Sequence, residues 1–170
     1  MNLLNGVIAD TTPLDYLILI GQSEILASLF DQVLIPQAVL NELRHPKAPE
    51  AVSLWLRSLP SWLVVTTVQK IDDTIMLGQG ENEAISLAIE RHVPVVLMDE
   101  RRGRAAAESR GLLAVGTLNL IDLADEQGLL DGIQALHDLK LTTFRADSEL
   151  LGRFESKIKS RRDGFTIKVT

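Results

Sequence analysis

Four carboxylates stand where they could do chemistry. Asp10 closes the run VIAD and Asp99 closes VVLMD. An acid directly after a buried strand lies where open α/β sheets keep their functional groups. In GQGENEAISLAIE, residues Ala84, Ile85 and Ala88 follow Glu81 at helical spacing, so Glu81 shares the face that packs on the sheet. It also stands at the helix start, where the dipole favours negative charge. Glu83 falls outside that stripe, toward the rim. Glu42 continues the apolar stripe of Ile35, Ala38 and Val39, and a carboxylate ending such a stripe needs a partner or a metal. Each acid alone also has a structural use: the aspartates as caps or turn residues, Glu81 as a complement to the dipole, Glu42 in a salt bridge with an arginine.

Together the acids point to one chemistry. Carboxylates converging on one end of a sheet repel one another and raise each other's pKa. The chain has no cysteine, and His45, His92 and His137 form no i, i+4 pair. Thiolate and histidine metal sites, disulfides and cysteine nucleophiles are therefore not expected. The neutraliser that suits such acids is a hard, oxygen-liganded dication, Mg²⁺ or Mn²⁺. That ion keeps waters, one of which can attack, and it can stabilise an in-line phosphoryl displacement.

These acids require a sheet that aligns them. Five short apolar or β-branched runs are expected as strands: Val7 to Ala9, Gln32 to Ile35, Trp62 to Val68, Pro94 to Met98 and Leu113 to Val115. Helical patterns alternate with them. Asp15 to Ile20 follows Thr12-Pro13 as a cap and first-turn proline, with Gly21 closing it. Glu24 to Phe30, Pro36 to about Leu43, Glu50 to Leu59, Glu81 to Arg91, Arg101 to Arg110 and Leu118 to Glu126 follow. Alternation of this kind implies parallel pairing through βαβ crossovers. The expected fold is a three-layer α/β/α sandwich on a five-stranded parallel sheet, over residues 1–135. Residues 136–170 read as an extension of one or two helices and a last short strand, packed on the core or on a partner.

The 170 residues include 17 Lys and Arg against 23 Asp and Glu, a net charge of −6. Such a chain is not a general polyanion binder, so any nucleic-acid contact must come from local patches. Two candidates are Arg101, Arg102, Arg104 and Arg110, and Lys157, Lys159, Arg161 and Arg162; either also fits a solvated helix face. No apolar run approaches the ~20 residues of a membrane span, and the first residues lack a signal-peptide pattern, so a cytoplasmic protein is expected.

DTTPL after the first strand, VLNEL, LGQGENEAISLA, VVLMDERRGR and VGTLNLID, in this order, resemble the PIN domain, and among PIN proteins the DUF3368 branch. The resemblance covers roughly Val7 to Gly128. It implies a metal-dependent ribonuclease that cleaves single-stranded RNA and leaves 5′-phosphate ends. It places the family's four acids on Asp10, Glu42, Glu81 and Asp99, although the third is more often aspartate and Glu83 leaves that register slightly open. It matches Thr11 and Thr117 to hydroxyl positions near the site, and Glu100 with the arginines at 101, 102 and 104 also resembles the branch's pattern; Thr11, Thr117, Arg101 and Arg102 are expected to bind the substrate, the two arginines beside its phosphate. Many small PIN proteins are toxins of type II toxin–antitoxin pairs, which implies a small antitoxin partner and a homodimer. Core packing is the main use expected for Leu17, Leu19, Ile25 and Leu29, with docking of a partner as the alternative.

Other readings fit less well. A receiver domain needs an aspartate after the third strand, and WLVVTTVQK has none. A haloacid-dehalogenase-like phosphatase needs an aspartate where Thr12 stands. Gly78-Gln79-Gly80 lacks the third glycine of a dinucleotide turn, and no G-x-S-x-G elbow exists. The remaining alternative is a catalytically inactive PIN-fold module that binds RNA or protein.

Overall fold

The computed structural model describes residues 6–166. Contacts divide the chain into two compact units, one through Thr117 and one from Leu118. The first unit holds five strands: β1 (Val7–Ala9), β2 (Val33–Pro36), β3 (Leu63–Thr66), β4 (Val95–Leu97) and β5 (Leu113–Val115). They form one sheet in the order β3-β2-β1-β4-β5, and all four pairings are parallel. The α/β fold expected from the alternating pattern is therefore present. β1 is buried at every position, as a strand covered on both faces must be.

Six helices of this unit flank the sheet: α1 (Thr11–Leu19), α2 (Ile25–Leu29), α3 (Gln37–Leu43), α4 (Glu50–Trp55), α5 (Gln79–Arg91) and α6 (Arg101–Glu108). α5 packs on β1, β2 and β4. Its residues Ala84, Ile85 and Ala88 are fully buried in a cluster with Ile8, Val96 and Met98. Cutting Ile85 back to alanine would leave a cavity costing about 2–5 kcal/mol. Leu17, Ile25 and Leu29 are core residues, whereas Leu19 is half-buried.

Several local expectations need correction. α1 starts at Thr11, directly off the strand, so its N-cap is Asp10 and not Thr12. Pro13 becomes the third helical residue, which is tolerated because first-turn N–H groups have no intrahelical acceptor. Gly21 does close α1, at φ 68, with its N–H on Ile18 and that of Gln22 on Leu17. α4 stops at Trp55 rather than Leu59; Arg57 and Ser58 continue with tight i→i−3 bonds before Pro60.

The second unit is helical. α7 (Thr117–Glu126) runs into it, followed by α8 (Gly132–Lys140) and α9 (Ser148–Thr166). The pattern change near Leu136 falls inside α8. α8 packs on α9, with Leu136, Leu139 and Ile158 buried. Of the expected last strand, 167–170 lie outside the described residues, and α9 runs through Thr166.

Candidate active site

The chain leaves β1 toward β2 and β3 on one side, then returns to place β4 and β5 on the other. The sheet therefore reverses between β1 and β4, and such a switch point opens a crevice beyond the carboxyl ends of the strands. Ala9 pairs with Leu97, and the Asp10 N–H donates to the Leu97 carbonyl at 2.9 Å. Asp10 and Asp99 thus emerge at the switch point from neighbouring strands.

Asp10 is only 3% exposed, yet its Oδ1 has no hydrogen-bond partner, and its side chain does not cap α1. Burial pushes its pKa up to about 7. The Thr11 N–H opposes the rise, while repulsion from Glu81, Glu42 and Asp99 adds to it. The other three acids read from the sequence therefore all act on Asp10. Asp99 is tied more firmly. Its Oδ1 accepts the Thr117 N–H at 2.8 Å and its Oδ2 the Thr117 hydroxyl at 2.6 Å. Burial still raises it, against those two bonds and nearby Arg104.

The other two acids come from α3 and α5, which pack together. Glu81 is the third residue of α5 and its Oε2 accepts the N-cap Gly78 N–H at 3.3 Å. Its Oε1 is buried and unpartnered. Burial, with Glu100 and Glu42 nearby, raises Glu81, and Arg102 partly offsets this. Glu42 corrects the sequence picture. It is exposed, and its partners are the Thr11 hydroxyl and the Gly80 N–H at 3.0 Å, in place of an arginine. A Cβ at Gly80 would lie 2.5 Å from Glu42 Oε1, so Gly80 is what lets α5 approach this carboxylate. Glu83, expected at the rim, is instead buried. It accepts the Ala38 N–H at 3.2 Å and the Gln79 amide at 3.0 Å. The reason is that α5 has a second packed face: α3 covers it, and Glu83 satisfies an open N–H in the first turn of α3.

The arginines part company. Arg110 is spent on structure, holding Asp72 at 2.8 Å and the Thr74 hydroxyl at 2.8 Å. Arg102 is exposed and reaches the Met76 carbonyl at 3.4 Å, within range of Glu81. Arg101 is exposed, and Arg104 stands beside Asp99. The second basic cluster is no open patch. Within the helical unit Lys157 and Arg161 meet Asp122, Arg162 meets Asp125 and Asp131, and Lys159 meets Glu155.

The sequence reading missed Asp15. Burial and the charge of Glu42 push it up to about 6, and its Oδ1 is buried without a partner. The signal was available: Asp15 stands one turn after Thr11 on α1, so both share a face.

Among the described residues no group of three or more carboxylate or imidazole side chains is arranged as a ready ligand set. The donor chemistry nevertheless suits a hard cation. Asp10 Oδ1 and Glu81 Oε1 are buried carboxylate oxygens with nothing bound to them, and such atoms call for a proton or a cation. Among the described residues no helix is long and apolar enough to cross a membrane.

The sequence profile of the DUF3368 family, described as a PIN domain, matches residues 6–160. No curated protein matches the chain. PIN domains are generally nucleases and typically use divalent metals, in keeping with acids gathered at the mouth of a parallel sheet. The chain therefore belongs to the DUF3368 family of PIN domains.

Proposed function

We propose that this protein is a metal-dependent endoribonuclease that hydrolyses phosphodiester bonds of single-stranded RNA, and that it is the toxin of a type II toxin–antitoxin pair. The observation that carries the nuclease reading is the convergence of Glu42, Glu81 and Asp99 on a buried Asp10 whose Oδ1 has no partner. Mg²⁺ or Mn²⁺ is the cofactor this reading calls for. Asp10 and Glu81 would hold it through their free oxygens, and Asp99 and Glu42 would complete the acidic shell. When bound, a hard dication supplies charge neutralisation and Lewis acidity toward a phosphodiester oxygen.

The chain's own residues do the rest. Thr117 fixes the Asp99 carboxylate with two hydrogen bonds, so that it does not rotate away from the crevice. Thr11 and Gly80 fix Glu42 in the same way. Arg101 and Arg102, exposed at the start of α6, are available to the substrate backbone. Aromatic residues are 4% of the chain, so selectivity would come from RNA shape and unpaired bases more than from a stacking platform. The toxin role, a small antitoxin that covers the acidic crevice, a homodimer and a cytoplasmic location rest on the likeness to small PIN proteins.

The test is cleavage of total cellular RNA and of short single-stranded oligonucleotides by the purified protein in Mg²⁺, Mn²⁺ and EDTA. Asp10→Asn and Asp99→Asn are run in parallel. Metal-dependent cleavage lost in both variants is the expected result. Cleavage that survives in both would place the active site elsewhere. No cleavage together with no metal binding by calorimetry would favour a PIN-fold binding module. Co-expression with small neighbouring reading frames tests the toxin role: one of them should abolish the activity and co-purify.

A further inference from the structure

We infer that Arg104 holds the substrate's phosphodiester beside Asp99, in a gap that Gly116 keeps open; this deepens the nuclease reading above and rests on it. Three arginines begin α6 immediately after Asp99 and Glu100, and the helix sends them in different directions. Arg102 turns to the Met76 carbonyl, and Arg101 lies exposed. Arg104 is the one set against Asp99. A Cβ built on Gly116 would lie 2.8 Å from Arg104 Nη1 and 2.9 Å from Asp99 Oδ1, so the two groups flank a single point. A Cβ at position 116 would have to displace the end of Arg104, Asp99 or both.

Arg104 is not consumed by this neighbour. Both Asp99 oxygens are already engaged by Thr117. Among the described residues the Arg104 guanidinium makes no hydrogen bond or ion pair, although it is half-buried and feels the Asp99 charge. It differs in this from Arg110, Arg161 and Arg162, each of which is paired with a carboxylate. A planar fork of donors held near a catalytic carboxylate, with its own valences open, suits the two non-bridging oxygens of a phosphodiester. An acidic crevice on a chain of net charge −6 repels RNA, and a fixed guanidinium beside Asp99 offsets part of that repulsion for the backbone.

The experiment compares the wild type with Arg104→Ala, Arg104→Lys, Arg101→Ala and Gly116→Ala, all as full-length protein. KM and kcat are measured on a mixed-sequence single-stranded RNA 20-mer in Mg²⁺ over a series of KCl concentrations, with thermal melting as the check on folding. Arg104→Ala is expected to raise KM by about tenfold to a hundredfold. It should also reduce the slope of log KM against log salt by about 0.7, the loss of one phosphate contact. Arg104→Lys should fall between, keeping charge without the fork. Gly116→Ala, which crowds Asp99 as well as Arg104, should raise KM and also lower kcat at an unchanged melting temperature, and Arg101→Ala should change KM less. A cleaving wild type whose KM and salt slope survive Arg104→Ala would overturn the inference. So would a change confined to kcat, which would make Arg104 a support for Asp99. If the wild type cleaves no RNA, the nuclease reading fails. Anisotropy of the labelled 20-mer in EDTA then decides Arg104 separately: weaker binding by Arg104→Ala keeps the phosphate site, and equal binding removes it.

Discussion

The acids of the sheet unit and the acids of the helical unit are treated in opposite ways. In the helical unit Asp122 takes Lys157 at 2.5 Å and Arg161 at 2.6 Å, and Asp125 takes the Gly132 N–H and Arg162. Asp131 caps α8 and also meets Arg162, and Glu155 sits between Lys140 and Lys159. Hydrogen bonds from the Gln134 N–H and Arg162 hold Asp131 below the usual carboxylate range, and those from Lys159 and Lys140 do so for Glu155. At the mouth of the sheet, burial and the charge of neighbouring acids raise Asp10, Glu81, Asp99 and Asp15, and among the described residues no cation hydrogen-bonds to any of the four. The sheet unit can neutralise an acid when the fold uses it: hydrogen bonds from Thr74 and Arg110 pull Asp72 down to about 2. Acids left unneutralised at the switch point weaken the metal-free fold, which is the usual mark of groups kept for function.

That contrast can be broken, and the largest effect is on activity. Asp10→Asn should lower RNA cleavage by about a hundredfold to ten-thousandfold, comparable to removing one preorganised charge group from an active site. Asp122→Ala should leave cleavage within twofold, as read from initial rates on the same oligonucleotide.

Stability should move the other way. Asp122→Ala leaves Lys157 and Arg161 without their shared partner and should cost about 1–3 kcal/mol by denaturant titration. Asp10→Asn, by removing a buried unpaired acid, should stabilise the metal-free protein by about 1–3 kcal/mol. A loss of stability in Asp10→Asn would show that this carboxylate supports the fold after all.

The pH dependence sharpens the same point. Asp10 titrates near 3.8 unfolded and about 7 folded, so between those values the native state binds the extra proton. Its contribution is full below about 4 and is lost as pH rises to about 7. For Asp131 and Glu155 the folded pKa is lowered, so their contribution is present above the unfolded value and is lost as pH falls. Melting temperatures without metal should therefore decline from pH 5 to pH 7, and Asp10→Asn should flatten that decline while leaving the acid limb in place. Added Mg²⁺ should also flatten it in the wild type. The smallest effect belongs to Lys159→Ala, an exposed i, i+4 pair, which should leave the denaturation midpoint within error.

Much of the sheet was legible because its signals are local. VIA, VVL and LAV are short apolar runs with a turn or helix signal on either side, and their alternation with helical periodicity requires parallel pairing. Asp10 and Asp99 could be placed because an acid at a strand's end takes its position from the strand. The misreadings share a different cause. Glu83 reads as a rim residue because periodicity reports one packed face, and α5 has two. Glu42 reads as buried because the apolar stripe ends on it, yet the last turn of α3 reaches solvent. Lys157, Arg161 and Arg162 read as part of a free basic patch because their acids lie 31 to 39 residues away in the chain.

By itself the sequence determined the parallel α/β plan, the absence of thiol chemistry and the identity of the acids at the strand ends, since periodicity and residue type set these within a few residues of each position. Only the tertiary structure decided which charges are neutralised. The Asp99–Thr117 bonds, the Gly80–Glu42 approach, the commitment of Arg110 and the open fork of Arg104 beside Gly116 all join segments distant in the chain. A charge's worth depends on its distance to other charges and on its burial, and both are properties of the packed fold.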